Sequence, residues 1–307
     1  MWVNIIIPVK NGARFIGEAV ASALDQPGVK RVIVVDDGST DESATIIKRI
    51  ADKRVTLIQS AGRGVSAARN SGFAELERLS PAGESERDWV MFLDADDRLV
   101  PGAIQKLIDG IETDCAAVYG DYERIDAAGR RIGRRARLLR RGKPSGEILR
   151  DLLAGNFIVN GGVMLIRREK FRQSGGFDET LHYCEDWHLF CRIAGLGPMI
   201  WRPRTTVLEY RLHGDSAMMR HGIGYHHYRA ALERVFADPI VTSQIGIGDA
   251  IRLRRKAEAH LRIYVACQAI RARAYGRGIK ETAQIIALRP SRTPAALAHA
   301  FGALVGL

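Results

Sequence analysis

Over the first hundred residues, short runs of β-branched and aliphatic residues alternate with segments whose apolar residues recur at helical spacing. No other feature constrains the fold as much, because strands separated by helices assemble into a mostly parallel sheet covered by helices. The pattern predicts strands over 5–9, 32–35, 55–59 and 89–93, and the last is apolar throughout, as a central strand must be. Helices are predicted over 14–26, where Phe15, Ala19, Val20 and Leu24 share a face, over 43–50 behind Thr40 or Asp41 as cap, and over 65–78 after a flexible Gly-rich turn. Residues 80–88 read as a polar loop. A helix over 101–113, a strand over 116–122, an extended segment over 161–167 and a helix starting near Glu185 follow. From about 220 the pattern is helical only, including a basic helix over 249–275. The expected architecture is α/β over 1–219 with a basic helical region over 220–307.

Charge divides the chain in the same way. Residues 1–120 carry 14 Lys and Arg against 18 Asp and Glu, whereas residues 121–307 carry 32 against 17. The four cysteines, Cys115, Cys184, Cys191 and Cys267, show no CxxC or disulfide-framework spacing, which favours a reducing, cytoplasmic setting. No basic-then-apolar leader opens the sequence and no run reaches the roughly 18 apolar residues of a spanning helix. The expectation is a cytoplasmic chain that neither crosses a bilayer nor carries a visible signal.

Chemistry concentrates in two acidic turns. Asp94-Ala95-Asp96-Asp97 directly follows the central strand, and ligands of open α/β sheets bind outside the carboxyl ends of strands. A turn with a helix cap before Pro101 uses one or two acids; three crowded carboxylates repel, and a bound Mg²⁺ or Mn²⁺ shared with substrate phosphates accounts for them better. The second turn, Asp36-Asp37-Gly38-Ser39-Thr40-Asp41, is either a plain turn or a place where a carboxylate accepts from a nucleobase N–H or ribose hydroxyls. Neither Gly-x-Gly-x-x-Gly nor a P-loop follows the first strand, so dinucleotide and Walker-type readings fall away. Arg69 lies between the two turns in sequence, placed either as an ordinary helix-surface cation or to neutralise a diphosphate.

Six strings, IIIPVKNG (5–12), VVDDGSTD (34–41), GRGVSAARNSG (62–72), FLDADD (92–97), GGFDE (175–179) and CEDW (184–187), stand in the order and approximate spacing of family 2 glycosyltransferases. The resemblance spans about residues 3–215 and implies the GT-A fold, an inverting mechanism and a nucleotide-sugar donor. It further implies that Asp94 and Asp96 bind a divalent metal bridging the donor's diphosphate. Asp37 then contacts the base, Pro8 and Val9 pack around the nucleotide, and Asp186 of the Glu185-Asp186 pair is the catalytic base. Arg211-Leu212-His213 resembles the family's downstream segment that closes over the nucleotide. Glu185, Arg211 and His213 are further candidates for acceptor or diphosphate contacts, as is Trp187, which is either a platform against a sugar ring or a buried aromatic. The chemistry agrees: one carboxylate must take the proton from an acceptor hydroxyl while a cation offsets charge on the leaving diphosphate.

Rival readings use the same residues. His182, Cys184, His188 and Cys191 fall within ten residues and offer zinc ligands, though at the spacing of no ordinary structural site. A nucleotidyltransferase also needs paired acids and Mg²⁺, but it typically carries a Gly-rich basic loop after the first strand, which 8–12 is not. A non-catalytic basic binding module is the third. The Arg-rich stretch 124–143 and Arg252, Arg254, Arg255, Lys256, Arg262, Arg271 and Arg273 invite a nucleic-acid reading, but aromatics are sparse among them and no finger or RNP pattern occurs, so no nucleic-acid partner is expected. Such charge is mostly solvated surface, but anionic lipid head groups or a lipid-linked diphosphate or saccharide acceptor would suit the same field; the apolar 294–307 is too short to span a bilayer but apolar enough to lie in its interface, or it docks on its own domain or on a second subunit. The sequence-level expectation is an enzyme moving sugar from a UDP-sugar, the favoured donor, to a hydroxyl of a saccharide or lipid-linked saccharide in envelope or exopolysaccharide synthesis.

Overall fold

The structure is a computed structural model, which describes residues 2–80, 88–111, 114–132, 142–214, 224–271 and 274–288. The chain forms two compact units. One comprises 1–148, 158–180 and 192–213, and the other 149–157, 181–191 and 214–307. The last crossing lies within a few residues of the expected boundary at 219, but two internal segments, one of them holding Asp186, belong with the helical unit.

The first unit is built on one sheet. Strands β1 (Val3–Val9), β2 (Val29–Asp36), β3 (Val55–Gln59) and β4 (Trp89–Phe92) lie side by side in the order β3-β2-β1-β4, all parallel. Every residue of β1 and β4 is buried, the reason these strands read as unbroken apolar runs rather than alternating ones. Helices α1 (Ile16–Leu24), α2 (Ser43–Lys48) and α3 (Val65–Leu79) are the crossovers. Helix α2 has Glu42 at its N-cap without a side-chain bond, while Asp41 Oδ1 accepts from the Ser43 N–H at 3.0 Å. Helix α3 lies against β1 and β2 so closely that a Cβ on Gly72 would meet Ile6 Cγ2 at 2.4 Å and Val35 Cγ2 at 2.9 Å.

Beyond β4 the sheet continues with β5 (Arg98–Leu99), β6 (Ala117–Ile125), β7 (Arg131–Ile132), β8 (Met164–Arg167) and β9 (Met199–Arg211). The order runs on as β4-β8-β6-β9-β5, with β7 beside β6. Strand β8 is antiparallel to both neighbours, and β9 is parallel to β6. The 13-residue β9 escapes the sequence pattern because Pro203 and the left-handed Arg204 (φ 62°) interrupt it, and its pairing with β6 shifts register on both sides of Asp121. Gly120 permits that irregularity: a Cβ there would meet the Thr205 carbonyl oxygen at 2.6 Å. The short helices α4 (Ala103–Ile108), α5 (Leu149–Ala154) and α6 (Arg168–Ser174) follow, with α5 in the second unit.

Helix α7 (Glu185–Gly195) starts in the second unit and ends in the first. The rest of the second unit is α8 (Tyr225–Ala237), α9 (Pro239–Thr242), α10 (Ile247–Arg271) and α11 (Tyr275–Leu288). Its core gathers Leu232, Val235, Val241, Leu261, Val265 and Ile285. Among the described residues no helix is long and apolar enough to cross a membrane. The expected apolar piece 294–307 and residues 133–141 of the Arg-rich stretch 124–143 lie outside the described residues.

Replacing Gly72 by Ala should destabilise the protein by about 1–3 kcal/mol despite the better helix propensity of Ala, because the added methyl has no room. Urea unfolding measures this; a midpoint unchanged or raised would mean that α3 does not approach β1 this closely.

Candidate active site

The two acidic turns end parallel strands of the first unit, and each is closed by its own hydrogen bonds. Asp37 N–H donates to the Val9 carbonyl at 2.8 Å, and the buried Asp36 carboxylate accepts from Ser39 N–H (2.8 Å) and Gln59 Nε2 (3.1 Å). Burial works against the Asp36 charge, but the Ser39 and Gln59 bonds outweigh it and hold the carboxyl below its ordinary range. Asp37 sits at the start of α3, where both carboxylate oxygens accept from Gly64 N–H at 3.0 and 3.2 Å; Gly64 has φ +95° and no side chain to cap with. Lys10 Nζ is 3.6 Å from Asp37. Lys10, Asp36, Asp37, Gln59, Gly62 and Arg63 line a cleft of about 350 Å³. Pro8 and Val9 are buried within the sheet, so what Val9 offers this turn is its carbonyl, not its side chain.

The turn after β4 is held from three sides. Asp94 Oδ1 accepts from Arg69 Nη2 at 2.8 Å, and Asn160 Nδ2 donates both to Asp94 Oδ2 (3.1 Å) and to Asp97 Oδ2 (2.9 Å). The other oxygen of Asp97 accepts from the Arg211 N–H at 2.8 Å, and Arg211 Nε donates to the Asp96 carbonyl at 2.7 Å. His213 Nε2 lies 2.9 Å from Asp96 Oδ2. Phe15 supports both partners from below, with Arg211 stacked at 4.5 Å from the ring centroid and His213 at 5.0 Å. Burial, then the charge of Asp94, pushes the Asp96 carboxyl above its ordinary range against the pull of His213. Asp97 is raised further by burial and by both neighbouring acids, against its bonds to Arg211 and Asn160.

These crowded oxygen donors fit a hard divalent cation, since positive charge at this corner relieves both the repulsion and the burial cost. Among the described residues no group of three or more His, Cys, Asp or Glu is arranged to hold a metal ion by itself. An ion here would draw ligands from the acids and complete its shell with water and substrate oxygens, as Mg²⁺ sites commonly do.

Several expected contacts take another form. Arg211 is 1% exposed, with Nη2 on Glu18 at 2.7 Å, so it braces the acidic turn from behind rather than reaching for a diphosphate. Arg69 is 3% exposed, bound to Asp94 and lying 4.9 Å from the Phe177 ring centroid. Trp187 is also 1% exposed, and its indole N–H donates to the Leu152 carbonyl at 2.8 Å; it is a core residue of the second unit, not a platform for a sugar. His188 Nε2 is 3.0 Å from Asp238 Oδ2, and Cys191 is buried, which removes the zinc reading among the described residues. Glu185 and Asp186 occupy the first turn of α7, behind Cys184 in the left-handed region (φ 59°). Burial, with the Glu185 and Asp186 charges adding to it, pushes the Cys184 thiol up to about 12, so it is an inert neutral group.

The sequence pattern missed Asn160, the amide that bridges Asp94 and Asp97. Its only signal is the following Gly161-Gly162, where a Cβ on Gly161 would approach the Phe92 carbonyl oxygen to 3.0 Å. Phe15 and Glu18 were legible only as residues of α1.

The model of glycosyl transferase family 2 matches residues 4–175, more than half of the chain. The chain belongs to glycosyl transferase family 2. This glycosyltransferase is 31% identical over 217 residues to succinoglycan biosynthesis protein ExoU of Rhizobium meliloti (strain 1021), a match covering 64% of this chain and 57% of ExoU. It is also 31% identical over 224 residues to an uncharacterized glycosyltransferase, RP339, of Rickettsia prowazekii (strain Madrid E), covering 69% and 64%. The matches thus span about three-fifths of those relatives' length. Among solved structures, residues 1–349 of S. aureus TarS in complex with UDP-GlcNAc superpose with a TM-score of 0.65 at 16% identity, covering 99% of this chain and 89% of that one. The mannosyltransferase PcManGT of Pyrobaculum calidifontis, in complex with GDP-Man and Mn²⁺, gives 0.55 at 21% identity, covering 99% and 86%. These likenesses show the shared GT-A fold. Membership of the family sets aside the nucleotidyltransferase reading.

Two substitutions test the geometry. Asn160→Ala should cost about 1–3 kcal/mol in urea unfolding, because buried Asp97 loses a donor; an unchanged midpoint would disprove the bridge. Trp187→Phe should lower stability by about 1 kcal/mol through the lost N–H bond and leave the acceptor KM unchanged; a several-fold rise in that KM with unchanged stability would restore the sugar-platform reading.

Proposed function

We propose that this glycosyltransferase moves one sugar, with inversion, from a nucleoside-diphosphate sugar to a hydroxyl of a saccharide or lipid-linked saccharide. The observation that carries the reading is the acidic turn after β4, with Asp94 and Asp96 held at the corner by Arg69, Asn160 and His213. Asp94 and Asp96 would hold Mg²⁺ or Mn²⁺, and the bound ion supplies charge compensation to the leaving diphosphate. The cleft beside Asp37 takes the nucleoside, its carboxylate accepting from an N–H of the base. A UDP-sugar is our first choice, in line with the ligand of TarS, and ExoU supports a place in exopolysaccharide synthesis. Asp186 acts as general base: its carboxylate takes the proton of the acceptor hydroxyl as that oxygen attacks the anomeric carbon. The bond from that carbon to the diphosphate oxygen breaks on the opposite face, and the nucleoside diphosphate departs.

Asp186→Asn tests the assignment. Transfer should fall by about a hundred- to ten-thousand-fold while UDP-sugar with Mn²⁺ still raises the melting temperature as in the parent. Undiminished transfer would refute the base assignment. Asp94→Ala should instead abolish the metal-dependent part of the thermal shift, and its persistence would remove the metal role.

A further inference from the structure

We propose that the outer face of α11 is a docking surface for an anionic lipid bilayer. Helix α11 packs along α10 through Gly278, Glu281 and Ile285: Gly278 faces Ile270, Arg262 of α10 bonds Glu281 at 2.7 Å, and Ile285 is 1% exposed. An adjoining face is apolar and uncovered by the described residues. Tyr275 is 50% exposed, Ile279 70% and Ile286 38%, and Ala283 is exposed among them. At 100° per residue these four side chains fall within an arc of about 80°, one continuous stripe. Exposed Lys280 stands about 60° beyond the Ala283 edge of the stripe, and exposed Arg277 lies further round on the solvent side. That is the layout of a helix lying in the plane of a membrane interface, with apolar groups below and cations level with the headgroups.

Charge selects the occupant. Residues 220–307 hold 14 Lys and Arg against five Asp and Glu, an excess that anionic headgroups attract and a second copy of this chain repels.

Flotation of the full chain with vesicles tests this, using phosphatidylglycerol mixed into phosphatidylcholine against phosphatidylcholine alone. The parent should float with the anionic vesicles only, and raising the salt should release it. Ile279→Asp should lower the partition coefficient by about tenfold, from the lost burial of one large aliphatic group, while Ile279→Leu binds as the parent does. Arg277→Glu with Lys280→Glu should weaken binding similarly and serves where the Asp variant does not fold. Equal flotation with neutral vesicles, or parent-like binding of folded variants, would overturn the proposal. So would a dimer in light scattering that Ile279→Asp dissociates, since the stripe would then be a self-interface. The melting-temperature rise given by UDP-sugar should be the same in all variants, which separates this surface from the donor site.

Discussion

Three carboxylates crowd the end of β4, and the first unit is arranged to hold them there without their ordinary solvation. Asp94 and Asp97 share one amide, that of Asn160, and Asp97 and Asp96 are tied to the same residue, Arg211, through its backbone N–H and its guanidinium. Unpaired, such a cluster would be expelled into water or protonated; Arg69 and His213 bring positive or donor character to its two outer acids. The burial and repulsion that remain are what a cation at this corner would offset.

The remaining motifs are braces for this corner. Asn70 exchanges bonds with the 175–179 loop: Phe177 N–H donates to Asn70 Oδ1 at 2.8 Å and Asn70 Nδ2 to the Phe177 carbonyl at 2.9 Å. Gly176, at φ +79°, leaves room for that amide, since a Cβ there would meet Asn70 Oδ1 at 2.7 Å. Arg192 donates to the Ser174 and Gly176 carbonyls, fixing the loop from the other side. Phe177, so positioned, lies beside Arg69, and Arg69 reaches Asp94. In the same way Asn11, left-handed at φ 52°, joins the loop after β1 to the turn after β2 by accepting from Thr40 N–H. Two strings far apart in the chain are one mechanical element.

Local signals carried the parallel half of the sheet, because a strand buried on both faces can only be an apolar run and its crossover only an amphipathic helix. The acids were visible for a related reason: charge has no packing function at the end of a buried strand. Strand β9 was hidden, since a kinked strand bearing Pro203 and several arginines breaks the two-residue period. Asn160 was hidden too, because an amide is chemically unremarkable until its two acceptors converge on it. Arg211 looked like a ligand contact because its segment resembles one that closes over the nucleotide, and Trp187 because an indole suits a sugar ring; burial decided otherwise.

The sequence by itself determined the family, the layered α/β core, the acids at strand ends and the concentration of positive charge toward the carboxyl terminus. Composition, periodicity and motif order are local properties, and each survives without knowledge of contacts. Only the tertiary structure decided which polar residues brace the acidic turn, that segments 149–157 and 181–191 join the helical unit, and that the described residues leave an apolar stripe of α11 uncovered. Those outcomes depend on which groups far apart in the chain share a hydrogen bond or exclude water together, and no local pattern encodes that.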